Sequence, residues 1–193
     1  MAAKKSNAPT AEELAQMRHS AAHVLAEAVL EMFPEAKYAI GPPIDTGFYY
    51  DFDLPRTLTP NDLKVLQKRM KKSVKKNLAI TGEQISKKDA KKIFASQPYK
   101  LELIEDIEEE TVGHFTHGSF EDLCRGGHAA STGQIGAFEL THVAGAYWKG
   151  DENNPMLQRV YGALFATDDE LQAYLKAREE AAERDHRRLG REL

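Results

Sequence analysis

The sequence predicts an α+β protein whose sheet is antiparallel. Helical and β-rich stretches are segregated along the chain and do not alternate as βαβ units. The stretch 112–166 reads as successive strands punctuated by glycines. Helix starts are marked by Thr10 with Glu13, Thr59-Pro60 with Asp62, Ser86 with Asp89 and Thr167 with Glu170. Each is a capping residue followed three places later by an acid.

The first of these signals opens a helix over about 11–33, stopped by Pro34. Leu14, Met17, Ala21, Val24, Leu25, Ala28 and Met32 recur at helical spacing and form one stripe for a core. His19 and His23 lie roughly opposite that stripe, one turn apart, among Ala22, Ala26 and Leu30. This second face reads either as the floor of a cleft or as a surface that happens to hold two histidines. Residues 38–40 and 48–52 read as strands around a proline-stiffened loop, 41–47, where Gly41 lets a ligand approach the backbone. Tyr49 and Tyr50 must point to opposite sheet faces, so one is core and the other is free to face the histidines. The second helix buries Leu63, Leu66, Met70 and Val74 and turns its lysines outward. A short helix follows Ser86, then a strand over about 99–104 and an acidic loop over 105–110. Further strands are expected within 112–123, 138–148 and 156–166. A final helix runs over about 168–191, and its second half is nearly all charge and alanine, as in a helix that leaves its domain. The domain organisation expected is a disordered lead-in at 1–10, a domain over 11–166 with a helical insert at about 59–97, and a linker helix over 167–193.

At 193 residues, with 41% hydrophobic and 29% charged residues, the composition is that of an ordinary water-soluble domain with an extension. No apolar run approaches the length that spans a bilayer, and the polar N-terminus is not a signal peptide. The single cysteine, Cys124, excludes an internal disulfide framework and fits a reducing compartment, so a cytoplasmic location is expected. A net charge of −4 argues against a simple polyanion binder. The charge is nevertheless uneven: Lys64, Lys68, Lys71, Lys72, Lys75 and Lys76 crowd the second helix and Lys87, Lys88, Lys91 and Lys92 the next. Such a face is either simply solvated or a contact for a nucleic-acid backbone.

Cys124 and His128 are four residues apart, as His19 and His23 are, and they sit where a strand enters the loop Arg125-Gly126-Gly127. One sulfur and three nitrogens form an acceptable set for tetrahedral zinc, which would activate a water. Without metal, the same four groups would serve as a base, donors and orienting groups around a bound ester. Asp122, two before Cys124, could hold a substrate amine or a histidine. Lys100, apart from the basic helices, could steady an oxyanion or be a surface lysine.

Taken together, His19-Ser20-Ala21-Ala22-His23, Gly41-Pro42-Pro43, Gly47-Phe48-Tyr49-Tyr50-Asp51 and Cys124-Arg125-Gly126-Gly127-His128 resemble the editing domain of bacterial threonyl-tRNA synthetases. So do residues 145–151 and 153–162, and 184–190 resemble the linker that enters the catalytic core of that family. The resemblance implies hydrolysis of serine mistakenly esterified to threonine tRNA, with His19, His23, Lys100, Asp122, Cys124 and His128 at the reaction site. It implies that Gly41, Tyr49, Tyr50 and Arg125 contact substrate and that Lys68, Lys72, Lys75 and Lys76 meet tRNA. No metal is expected, zinc on His19, His23, Cys124 and His128 being the alternative, as in the related alanyl editing domains. The partners implied are tRNA(Thr) carrying serine and, for an excised piece, the rest of the synthetase; a freestanding factor editing in trans and a tRNA-binding module without activity are the other readings. Family members commonly have a small domain before this one and a catalytic core after it, and many carry proline where this chain has Gly127.

Overall fold

The computed structural model describes residues 8–189, with side chains through 187, so most of the expected lead-in and the last residues of the expected linker lie outside the described residues. In chain order the elements are α1 (Ala11–Met32), β1 (Lys37–Tyr38), β2 (Pro43–Ile44), β3 (Gly47–Asp53), α2 (Pro60–Lys76), β4 (Thr81–Ser86), α3 (Lys87–Ile93), α4 (Pro98–Asp106), β5 (Thr111–His117), β6 (Phe120–Leu123), β7 (Ala137–Tyr147), β8 (Met156–Phe165) and α5 (Asp168–Leu189). Two sheets result, one in the order β1-β3-β8-β7 with β2 added to β3, the other β4-β5-β6; every pairing is antiparallel. The α+β class read from the sequence is therefore the observed one.

The helix starts follow their local chemistry. Thr10 accepts from the Glu13 N–H while Glu13 accepts from the Thr10 N–H, and Thr59 with Asp62 repeats the arrangement. Each such cap is worth about 1 kcal/mol. α1 then enters the core, where every residue from Ser20 to Val29 is buried. On one side it meets Phe48, Tyr50 and Phe52 of β3 with Val160 and Leu164 of β8; on the other it meets the small sheet through Phe120. The face carrying the histidines is thus an interior wall. Arg18 pins the start of this segment, donating through both Nε and Nη2 to the Leu164 carbonyl at 3.1 and 2.9 Å. One turn beyond His23, the Glu27 carboxylate accepts from Ser73 of α2 at 2.5 Å and lies 3.3 Å from His117 Nε2 of β5. These contacts tie three elements at one buried point.

Two expectations need correcting. Residues 99–104 form a helix, α4, and not a strand. Pro98 occupies the first turn, where its missing N–H costs nothing, and Lys100 and Ile104 are buried one turn apart. The alternation of apolar residues over 101–104 is short enough to suit either structure. The region 59–97 is likewise not wholly helical, because it contains β4. That edge strand has almost no buried side to show a period of two, and it is held by its pairing with β5.

Candidate functional site

Four elements converge on Asp122, which is 1% exposed near the end of β6. Its Oδ1 accepts from the Lys100 ammonium and, at 2.7 Å, from the Leu123 N–H. Its Oδ2 accepts from the Tyr50 hydroxyl at 2.6 Å and faces His23 Nε2 at 3.3 Å. Three donors thus reach the carboxylate, with the His23 ring close by, which is how a buried charge is tolerated. Of the two partners weighed for Asp122, the histidine is the one it meets. Lys100, also 1% exposed, donates a second time to the Tyr50 hydroxyl at 3.0 Å, and its ammonium stands 5.0 Å from the Tyr38 ring centroid. An ammonium has three N–H groups, and the third has no oxygen acceptor among the described residues. Lys100 lines a cavity of about 330 Å³ together with His19, His23, Gly41, Asp122 and Cys124.

Beside this ion pair the rings of His19, His23 and His128 gather. His19 stacks on His128 with centroids 4.0 Å apart, and His23 lies 4.3 Å from His128. Burial lowers the pKa of each below the usual imidazole value. For His128, burial and then the neighbouring His23 and His19 bring it to about 2. The cluster is consequently neutral at ordinary pH. The Ser20 hydroxyl accepts from the Ala129 N–H at 3.0 Å and meets His128 Nδ1 at 3.2 Å. The other ring nitrogen, Nε2, is 3.1 Å from Cys124 Sγ, so the ring is held from both sides. Burial, ahead of Asp122, pushes the Cys124 thiol up to about 12, far from a thiolate at neutral pH.

The loop joining Cys124 to His128 depends on its glycines. Gly126 and Gly127 have φ of +97° and +82°, and His19 lies within reach of their main chain. Proline, with φ fixed near −65°, cannot occupy Gly127 in this conformation. Gly41 is required for a different reason, since a Cβ there would overlap the Tyr50 ring.

Placement of the other expected residues differs from case to case. Arg125 is exposed on the cavity rim. Tyr50 is wholly buried, so it braces Asp122 and Lys100 and is not a surface for substrate. Tyr49 is on the opposite sheet face, beneath Arg159 at 3.9 Å and beside Tyr161, and does not line the cavity; its expected contact with substrate is corrected here. The alternation of strand side chains required one tyrosine to point away, and the register assigns that role to Tyr49. Lys68, Lys72, Lys75 and Lys76 are all exposed on α2, outside the cavity lining. Two contributors were not expected from the sequence, Ser20 and Tyr38. Ser20 lies inside the His-x3-His motif, where a hydroxyl between two histidines was the available signal.

The donor atoms of His19, His23, Cys124 and His128 all lie within 4.8 Å of one another. A tetrahedral zinc would hold such atoms about 3.4–3.7 Å apart, so the set fits zinc by donor type after a modest contraction. The carboxylate of Asp122 behind His23 is the kind of outer partner that metal-bound histidines have.

Residues 112–161 match the family described as threonyl and alanyl tRNA synthetase second additional domain. A threonine–tRNA ligase of Dehalococcoides mccartyi is 61% identical over 181 residues, covering 94% of this chain and 31% of the relative. The ligase of Clostridium tetani is 54% identical over 92% of this chain and 28% of its own length. That of Rubrobacter xylanophilus is 50% identical over 96% and 29%. The chain spans less than a third of the length of each of these relatives. Among the described residues no helix is long and apolar enough to cross a membrane.

Proposed function

We propose, from the match of residues 112–161 to the threonyl and alanyl tRNA synthetase second additional domain, that the cavity hydrolyses serine mistakenly esterified to threonine tRNA. The observation that carries this reading is the buried Lys100, held by Asp122 and Tyr50 with one N–H unspent, on the wall of a cavity that also presents neutral histidines. An aminoacyl ester is already activated, so a positioned water and one stabilised oxyanion suffice. Lys100 donates to the carbonyl oxygen as it gains charge. His23 faces Asp122 and His128 is held by Ser20 and Cys124, whereas His19 has no side-chain partner among the described residues and reaches only the Gly126 and Gly127 main chain. We assign it to orient and deprotonate the water and to pass the proton to the ribose oxygen as the ester C–O bond breaks. The protonated Cys124 is a poor nucleophile and holds the His128 ring from its Nε2 side.

Serine and threonine differ by one methyl group, a difference worth only about 1–3 kcal/mol to a site that binds the larger side chain. A cavity that binds the smaller one excludes threonine by overlap. Its walls at Gly41, Pro42 and Tyr50-braced Asp122 are rigid enough for such a sieve. Lys68, Lys72, Lys75 and Lys76 would meet tRNA phosphates. In this reading residues 11–166 are the editing unit of a cytoplasmic synthetase and 167–193 the helix leading to its catalytic core. Zinc, when bound, would rest on His19, His23, Cys124 and His128 and would supply a polarised water.

Folded chain mixed with threonine tRNA charged with serine or with threonine is expected to release serine well above the uncatalysed rate and to spare threonine. Absence of serine release would overturn the proposal. Prolonged chelation is expected to leave serine release unchanged. Loss of release on chelation, with recovery on adding zinc, would replace the metal-free scheme by the alanyl-type one.

A further inference from the structure

A second and larger cavity, about 510 Å³, adjoins the first; Leu123, Cys124 and Arg125 line both. The two lie along one helix, since Lys100 of α4 lines the first and Leu103, Asp106 and Ile107 at its far end line the second. The second cavity is built unlike the first. Its apolar surface comes from Leu103, Ile107 and Leu123, all partly exposed, and its polar side chains Gln84 and Glu109 are exposed at the rim. Asp106 is already engaged by Lys149 at 2.6 Å, whereas Glu109, Gln84 and Arg125 make no side-chain hydrogen bond among the described residues. Arg125 stands at the junction of the two spaces.

We propose that the second cavity seats the nucleotide preceding the terminal adenosine, which is a cytidine in the CCA end of tRNA, with Arg125 on the phosphate that joins the two. This rests on the first cavity holding the terminal aminoacyl adenosine. The strand end at 123–125 is the stretch that lines both spaces, and the only guanidinium common to both lining sets is there. Planar guanidinium groups suit phosphate oxygens. The aliphatic side chains provide flat contact for a base, and the exocyclic amine of cytosine, which uracil lacks, donates to a carboxylate, here Glu109. Gln84 offers an amide N–H to the cytosine carbonyl, completing a donor–acceptor pair across its edge.

The test compares ligands that differ only in the extra nucleotide. Seryl-adenosine with a 3′-amide in place of the ester is titrated into the full chain, alongside the same compound extended at its 5′ side by cytidylate or by uridylate. The cytidylate compound is expected to bind about tenfold or more tighter than the nucleoside, as one phosphate contact and one read base edge imply. Arg125→Ala should bring that ratio close to one. Glu109→Lys, which only donates and so suits the uracil carbonyl and not the cytosine amine, should shift preference from the cytidylate towards the uridylate compound. Equal affinities in the wild-type chain, or ratios indifferent to both substitutions, would overturn the proposal. Because the amides report binding alone, a chain that prefers the cytidylate amide yet hydrolyses no ester would refute the hydrolytic reading and uphold this one.

Discussion

Lys100→Met is expected to reduce serine release by about 10²–10³-fold, the loss typical of removing an oxyanion donor. The same change removes the cation paired with Asp122 and leaves a carboxylate that is 1% exposed with hydrogen bonds only from Leu123 and Tyr50 among the described residues. Stripping one partner from a buried pair costs about 3–5 kcal/mol. That is a large share of the roughly 5–15 kcal/mol by which a domain is stable, so a low rate alone would not separate catalysis from unfolding. Lys100→Met combined with Asp122→Asn separates them. The neutral amide no longer needs a cation, so the thermal midpoint should recover much of the loss, whereas the rate should stay low. Wild-type rates in folded Lys100→Met would remove Lys100 from the chemistry. Recovery of the rate together with stability in the double variant would make Lys100 a structural residue.

Where local chemistry decides the conformation, the sequence was readable. The caps at Thr10, Thr59 and Thr167 pair with Glu13, Asp62 and Glu170 as their spacing requires. The stripe from Leu14 to Met32 packs where its period points. The four residues His19, His23, Cys124 and His128, separated by a hundred positions, do come together. Legibility ended where two structures share one pattern. Residues 99–104 alternate like a strand, and only the packing of Lys100 and Ile104 against the core makes them a helix. It ended also where the pattern is silent. β4 has almost no buried side chain to betray it, and nothing local states that Tyr50 instead of Tyr49 turns inward. The meeting of Tyr50 and His23 at Asp122, and of Ser20 with His128, joins residues 72 to 108 positions apart. Periodicity carries no information at that range.

Stability and serine release should respond differently to acid, and the difference follows from the histidine cluster. Each of His19, His23 and His128 has a folded pKa below the unfolded value of about 6.5. Between those two values the unfolded chain binds a proton that the folded chain refuses, so the stability present above pH 6.5 is lost as pH falls. For each histidine the loss approaches about 1.4 kcal/mol per pH unit once the unfolded form is charged. His142, lowered by burial and by Arg178, adds to the same slope. Glu27 acts in a separate window. Burial would raise its pKa, but hydrogen bonds from His117 and Ser73 lower it on balance, so its contribution is lost only below the ordinary carboxylate range. The thermal midpoint should therefore fall steadily from pH 7 to pH 5. Serine release, measured well below that midpoint, should fall only at a lower pH than an ordinary imidazole would dictate, because burial lowers the pKa of His19, the group that orients the water. His128→Gln should flatten the stability slope by about one proton. A midpoint independent of pH from 7 to 5 would refute a neutral cluster. A rate that falls with an apparent pKa near 6.5 would show that the histidine serving as base is not the buried, depressed one described above.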